Sequence, residues 1–165
     1  MQTCVTSGSD VWEGFMFGIR TSGAFLMTAI LASTPAFAQQ PTPAGHVKIA
    51  TGRAFIVRQN TTIAAKPGDA VFAIDTLRTE ADGAIGVTMT DDTRISLGPE
   101  SEVRLERYVF APAEGGLGMV LNFVRGVAAY VSGRMAKLAP DSIRLETPAA
   151  IVGVRGTTVA IRVGS

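Results

Sequence analysis

The chain has one cysteine, one histidine and one tryptophan among 165 residues, and aromatic side chains make up only 7% of it. Each scarcity excludes a class of chemistry. A single thiol, Cys4, cannot close a disulfide within the chain, and one histidine with one thiol cannot furnish the nitrogen and sulfur set of a zinc centre. His46 is also the sole histidine available to a catalytic triad, and it stands where a Pro-rich segment meets the first extended run, away from any packed element. Charge of one sign is scarce as well. With 15 basic and 14 acidic residues the formal net charge is +1, far from the clustered lysine and arginine that hold nucleic acid or an anionic membrane surface.

The amino terminus carries the features of an export signal. Arg20 precedes a mostly apolar run from Gly23 to Leu31, too short to span a bilayer. Pro35 interrupts the run, and Ala36-Phe37-Ala38 places small residues where a signal peptidase reads. Residues 1–38 are expected to be a signal peptide cleaved between Ala38 and Gln39, with retention as an anchor the alternative. Asp10 and Glu13 make the first fifteen residues acidic, so Met1 and Met16 are both candidate initiators. Cleavage removes Cys4 and leaves 127 residues with 14 basic and 12 acidic side chains, a net of +2. Such a chain is expected in the periplasm or outside the cell, as one domain held by packing alone, with no membrane span.

Residues 39–45, Gln-Gln-Pro-Thr-Pro-Ala-Gly, read as a flexible linker, and 46–165 as the domain. From His46 onward the recurring pattern has period two. Ile85, Val87 and Met89 alternate with small or polar residues, as do Ile95 and Leu97, Val103 and Leu105, Ile143 and Leu145, and Val159, Ile161 and Val163. Each set implies one buried face and one wet face. The stretch 120–131 is nearly continuous in apolar character, as a central strand pair covered on both sides requires. Turn signals at Ala81-Asp82-Gly83, Asp91-Asp92, Gly98-Pro99, Glu114-Gly115-Gly116, Ser132-Gly133 and Ala139-Pro140-Asp141 separate the runs. Only 134–138 reads as helical, for about one turn. The class is therefore all-β, either a compact β-roll or β-helix-like stack of short strands, or a β-sandwich. Outward Arg94, Arg104, Arg144 and Arg162 stand ready to pair with Glu102, Glu106 and Glu146 across neighbouring strands.

No catalytic set emerges. Asp82, Asp91 and Asp92 fall on turns, where aspartate caps its own backbone, and Glu102, Glu106 and Glu146 fall on wet strand faces beside arginines. The Gly and Asp repeat of a calcium-binding roll is absent. No metal and no cofactor are assigned. Three polar elements stand out instead. The first runs from Gly68 to Thr79, with Asp69 before a short apolar strand, Asp75 after it, and Arg78 three residues on. Each carboxylate is expected to cap a turn, with Asp75 or Thr76 tying Arg78 in place, and a polar edge read by a partner is the alternative. The second is Asp91-Asp92-Thr93-Arg94. The third is Gly153-Val154-Arg155-Gly156-Thr157 after Thr147-Pro148, where two glycines flank one arginine at a sharp bend. Arg155 is expected to close the last turn against a carboxylate or backbone carbonyls.

Together these elements resemble the FecR domain family, whose founding member is the ferric-citrate regulator of bacterial iron uptake. The resemblance implies a solenoid-like β-roll over a sandwich. In the regulator a cytoplasmic anti-sigma segment and a membrane helix precede a periplasmic domain that receives a signal from an outer-membrane transporter. Neither precedes the resembling region here, so a free-standing exported relative is expected. Asp69, Asp75, Arg78, Asp92, Arg94, Gly153, Arg155, Gly156 and Thr157 are accordingly motif residues with a structural or partner-binding role. The expected function is non-enzymatic: a protein-interaction or signal-sensing module whose partner is an envelope protein or outer-membrane component. A structural, self-associating envelope protein is the alternative. A polysaccharide-acting enzyme with paired acids is a third class, which requires an acidic groove.

Overall fold

The computed structural model describes residues 41–154, 156 and 158–164; the expected signal peptide, Arg155 and Thr157 lie outside the described residues. Twelve strands run in the order β1 (Gly45–Thr51), β2 (Ala54–Arg58), β3 (Thr61–Ala64), β4 (Ala70–Val71), β5 (Thr76–Thr79), β6 (Ala84–Met89), β7 (Arg94–Leu97), β8 (Glu102–Ala111), β9 (Gly116–Val131), β10 (Ile143–Glu146), β11 (Ile151–Gly153) and β12 (Thr158–Val163). A four-residue helix, α1 (Met135–Leu138), follows β9 where one helical turn is predicted. The all-β class is thus observed, as a curled sheet. Among the described residues, ten of the eleven strand pairings are antiparallel, and only β10 runs parallel to its neighbour β9. Ala44 and Gly45, expected in the linker, already belong to the domain. Ala44 is buried and donates its N–H to the Val71 carbonyl at 2.8 Å.

The organising element is β9. Residues 120–131, predicted to hold a strand pair, are part of one 16-residue strand. Its first part pairs with β8 on one side and β10 on the other, and its last six residues pair with β7 and β12. The cover on both faces expected for this stretch is not found: Leu121, Phe123, Ala128 and Tyr130 are buried, while Val120, Asn122 and Val124 are half-buried and Arg125 and Val127 exposed on the outer face. From the first part the sheet continues through β5, β2 and β3, and from the last through β6, β1 and β4. The two halves face each other across one core, lined by Ile56, Leu77, Val103, Leu105, Leu121 and Phe123 on one side and Val47, Ile85, Val87, Ile95, Leu97 and Tyr130 on the other.

The predicted alternation governs this packing. Ile85, Val87, Met89, Ile95, Leu97, Val103, Leu105, Ile143 and Leu145 are all buried. Val159, Ile161 and Val163 are only half-buried, because β12 is an outer strand with one paired side. Between the halves β9 turns at Gly126, whose φ of 88° is open to glycine and strained for other residues. The buried hydroxyls of Ser101 and Thr79 seal this corner. Ser101 Oγ accepts the Val127 N–H at 2.9 Å, and Thr79 Oγ1 accepts the Ser101 N–H at 3.0 Å and donates to the Gly98 carbonyl at 2.6 Å.

Candidate functional site

The chemistry-bearing residues gather in two places, one outward and one buried. The outward place begins with the β2–β3 hairpin. Gln59 and Asn60 both have positive φ, 46° and 65°, between the paired residues Arg58 and Thr61, which is the geometry of a two-residue type I′ turn. No glycine marks it, so the turn was not legible among the sequence signals. At the end of β2 it presents Arg58 to the segment after β4. There the predicted short strand is only Ala70–Val71, and residues 72–75 form a turn. Asp75 accepts the Phe72 N–H at 2.8 Å and, although only 1% exposed, takes a two-pronged contact from Arg58, Nε to Oδ1 at 2.8 Å and Nη2 to Oδ2 at 2.7 Å. The same guanidinium donates to the Ala70 carbonyl at 3.0 Å and stacks over the Phe72 ring at 4.3 Å. Its hydrogen bonds to Asp75 raise its pKa above the ordinary arginine value, against the opposing effect of burial.

The cation held by Asp75 is therefore Arg58, and the expected tie to Arg78 does not form. Arg78 instead lies on β5 with its guanidinium 6.0 Å from the Phe55 ring. Asp69 caps the preceding turn through the Lys66 N–H at 2.9 Å. The clamp at Asp75 fixes its neighbour Ile74 in an unusual state. Ile74 has φ 75°, a left-handed conformation that a β-branched side chain rarely adopts, yet its N–H is pinned to the Leu105 carbonyl at 2.7 Å and its side chain is 80% exposed. It stands at the mouth of a groove of about 440 Å³ on the outer face of the sheet, shared with Val57, Thr76, Arg78, Glu102 and Arg104. Strand register builds the floor: Thr76 pairs with Val57 and Arg104, and Arg78 pairs with Phe55 and Glu102.

The acids of this groove are each engaged by neighbouring polar side chains. Glu102 contacts Arg104 at 3.4 Å and Arg125 at 3.7 Å, and Glu106 accepts the Asn122 amide at 3.0 Å. None of the expected cross-strand pairs forms among the described residues: Arg104 meets Glu102 two residues away on its own strand, Glu102 reaches across only to Arg125, and Arg94, Arg144 and Arg162 form no ion pair. Also among the described residues, no three His, Cys, Asp or Glu side chains converge as a metal-binding group.

The buried place surrounds Asp91, whose carboxylate is fully enclosed. It accepts the Thr93 hydroxyl at 2.7 Å, the Tyr108 hydroxyl at 3.1 Å and the backbone N–H groups of Thr93 and Met135 at 3.3 and 3.4 Å. These bonds tie the β6–β7 turn to β8 and to the start of α1. Asp92, exposed in the same turn, pairs with Arg134 at 3.0 Å, and Arg134 lies 5.1 Å from the Phe110 ring. Arg94 projects outward from β7. Gly153 ends β11 and Gly156 has φ 58°, both in open space, while Arg155 and Thr157 lie outside the described residues.

Residues 75–165 match the FecR protein family. The chain belongs to the FecR family. The FecR segment begins at the Asp75 clamp and takes in β5 to β12, while β1 to β4 precede it and complete the same sheet. No curated protein and no solved structure matches the chain. Within the FecR segment, burial pushes the Tyr108 phenol well above its ordinary value, with the Asp91 charge adding to the rise, and burial likewise raises Tyr130. These are the only two tyrosines. Below pH about 10 both phenols are neutral in the folded and unfolded chain, and their stabilising contribution is fully present. Above it the unfolded chain ionises first, so stability falls by about 1.4 kcal/mol per pH unit for each tyrosine until the raised folded values are reached. Denaturant midpoints across alkaline pH should show this decline, with phenolate absorbance appearing only as the protein unfolds. Absorbance that develops near pH 10 in folded protein contradicts it.

Proposed function

We propose that this FecR-family protein is an exported, non-catalytic signalling module of the cell envelope. In this reading it receives an extended segment of a partner protein in the groove beside Ile74. The observation that carries the reading is the strained, exposed isoleucine. A β-branched side chain held at positive φ costs of order 1–3 kcal/mol and persists only where surrounding structure enforces it. Here a buried ion pair supplies the enforcement while the side chain itself packs on little. An apolar tip beside a floor of alternating Arg and Glu offers an anchor and a pattern of charges, the two elements by which a partner segment is held and placed in register. The export features of residues 1–38 and membership in a signalling-related family support the same reading.

A benzophenone amino acid placed at position 74, and separately at Ser96 on the outer face of the other half-sheet, tests this in living cells. Position 74 should give one saturable adduct of defined mass, competed by excess wild-type protein, and position 96 should give none. Equal labelling from both positions, or none from 74, contradicts the reading.

A further inference from the structure

A second cleft on the outer face carries chemistry of a different kind. We infer that Arg107 and Arg144 form an oxyanion site that takes a phosphate group. Both arginines are in register with Val120, Arg107 from the antiparallel neighbour β8 and Arg144 from the parallel neighbour β10. Two strand spacings put their Cα atoms about 10 Å apart, within reach of one shared ligand for side chains of this length. A register shift between Leu105 and Arg107 is what achieves this. Leu105 pairs with Leu121, so an unbroken ladder would set Glu106 opposite Val120; the irregularity advances the strand by one residue and sets an arginine there instead. The single parallel strand delivers the second arginine from the other side.

Local packing leaves room for the ligand. The guanidinium of Arg107 lies across Gly118, with its Cζ and Nε 3.4 Å from where a Cβ would stand. Arg107, Gly118, Asp141 and Arg144 line a cleft of about 170 Å³, enough for a group of phosphate size. Among the described residues neither arginine forms an ion pair, so both forks can serve a ligand. With Asp141 counted, the charge of the lining is +1, which selects an anion. A planar carboxylate is fully occupied by one fork, whereas a tetrahedral oxyanion can present oxygens to two forks at once. The favoured group is therefore a phosphate, borne by a small soluble molecule or by a lipid headgroup.

The purified full chain is titrated with inorganic phosphate while amide resonances of 107, 118 and 144 are followed. In parallel, its binding to phosphatidylglycerol vesicles is compared with its binding to phosphatidylcholine vesicles. Saturable binding in either arm is expected, and the tighter arm identifies the source of the phosphate. Arg107→Gln and Arg144→Gln should each weaken binding by about tenfold or more. Absence of saturable binding in both arms overturns the inference. So does binding that survives in a folded double variant, which marks an adventitious ion only.

Discussion

Gly126→Ala is expected to cost about 4 kcal/mol or more of folding free energy, which leaves little folded protein at ordinary domain stabilities. Two effects combine. At φ 88° any side chain is strained, and a Cβ there would sit 2.5 Å from Ser101 Cα and 2.6 Å from the Glu100 carbonyl oxygen. These two atoms are backbone, and the nearest obstruction is the Ser101 hydroxyl, itself held by the Pro99 and Val127 backbone, so none can yield cheaply. Gly115→Ala separates the two effects. Gly115 also has positive φ, 71°, but nothing lies within 4 Å of the point where a methyl group would stand, and the cost there should be about 1 kcal/mol. Denaturant unfolding of both variants measures the difference. Equal costs would mean that β9 does not turn against Ser101.

Asp75→Ala should destabilise by about 3 kcal/mol. The figure sits at the lower end for a broken buried ion pair because the Arg58 side chain is about a third exposed and is partly rehydrated when its partner is lost. The variant loses both prongs of the Arg58 contact and the cap on the Phe72 N–H, three hydrogen bonds of 2.7 to 2.8 Å. Arg58→Lys retains the charge without the planar fork and should fall between wild type and Asp75→Ala. Asp69→Ala, which removes one exposed turn cap, should cost at most about 1 kcal/mol. A loss at Asp75 no greater than that at Asp69 would show that the clamp contributes nothing beyond an ordinary turn.

The core was legible in the sequence because its signal is local. Alternation over four to six residues marks which side chains face inward, and Ile85, Val87, Met89, Ile95 and Leu97 obey it with no help from distant contacts. The strand pair expected over 120–131 failed for the same reason: apolar continuity cannot distinguish one long strand from two, nor a half-buried outer face from a covered one. The functional surface depends on partners remote in sequence. Arg58 lies 17 residues before Asp75, while Arg78 is close enough in sequence to have looked like the natural partner. Ile74 was hidden because an isoleucine at the end of Ala-Val-Phe-Ala-Ile reads as buried strand. Only its φ and its exposure reveal a turn residue facing solvent. The Arg107 position is likewise set by one ladder irregularity that no residue type announces.

The most direct test of the central claim, that the fold holds Ile74 in a strained conformation for recognition, is the stability of Ile74→Gly measured beside its partner crosslinking through a probe at Asn60 on the same groove. Glycine accepts φ 75° without strain, and the side chain it removes packs on little. The account predicts stability equal to wild type or higher by up to about 1 kcal/mol, together with loss of the adduct. A variant less stable than wild type by more than about 1 kcal/mol that still captures the partner would contradict it.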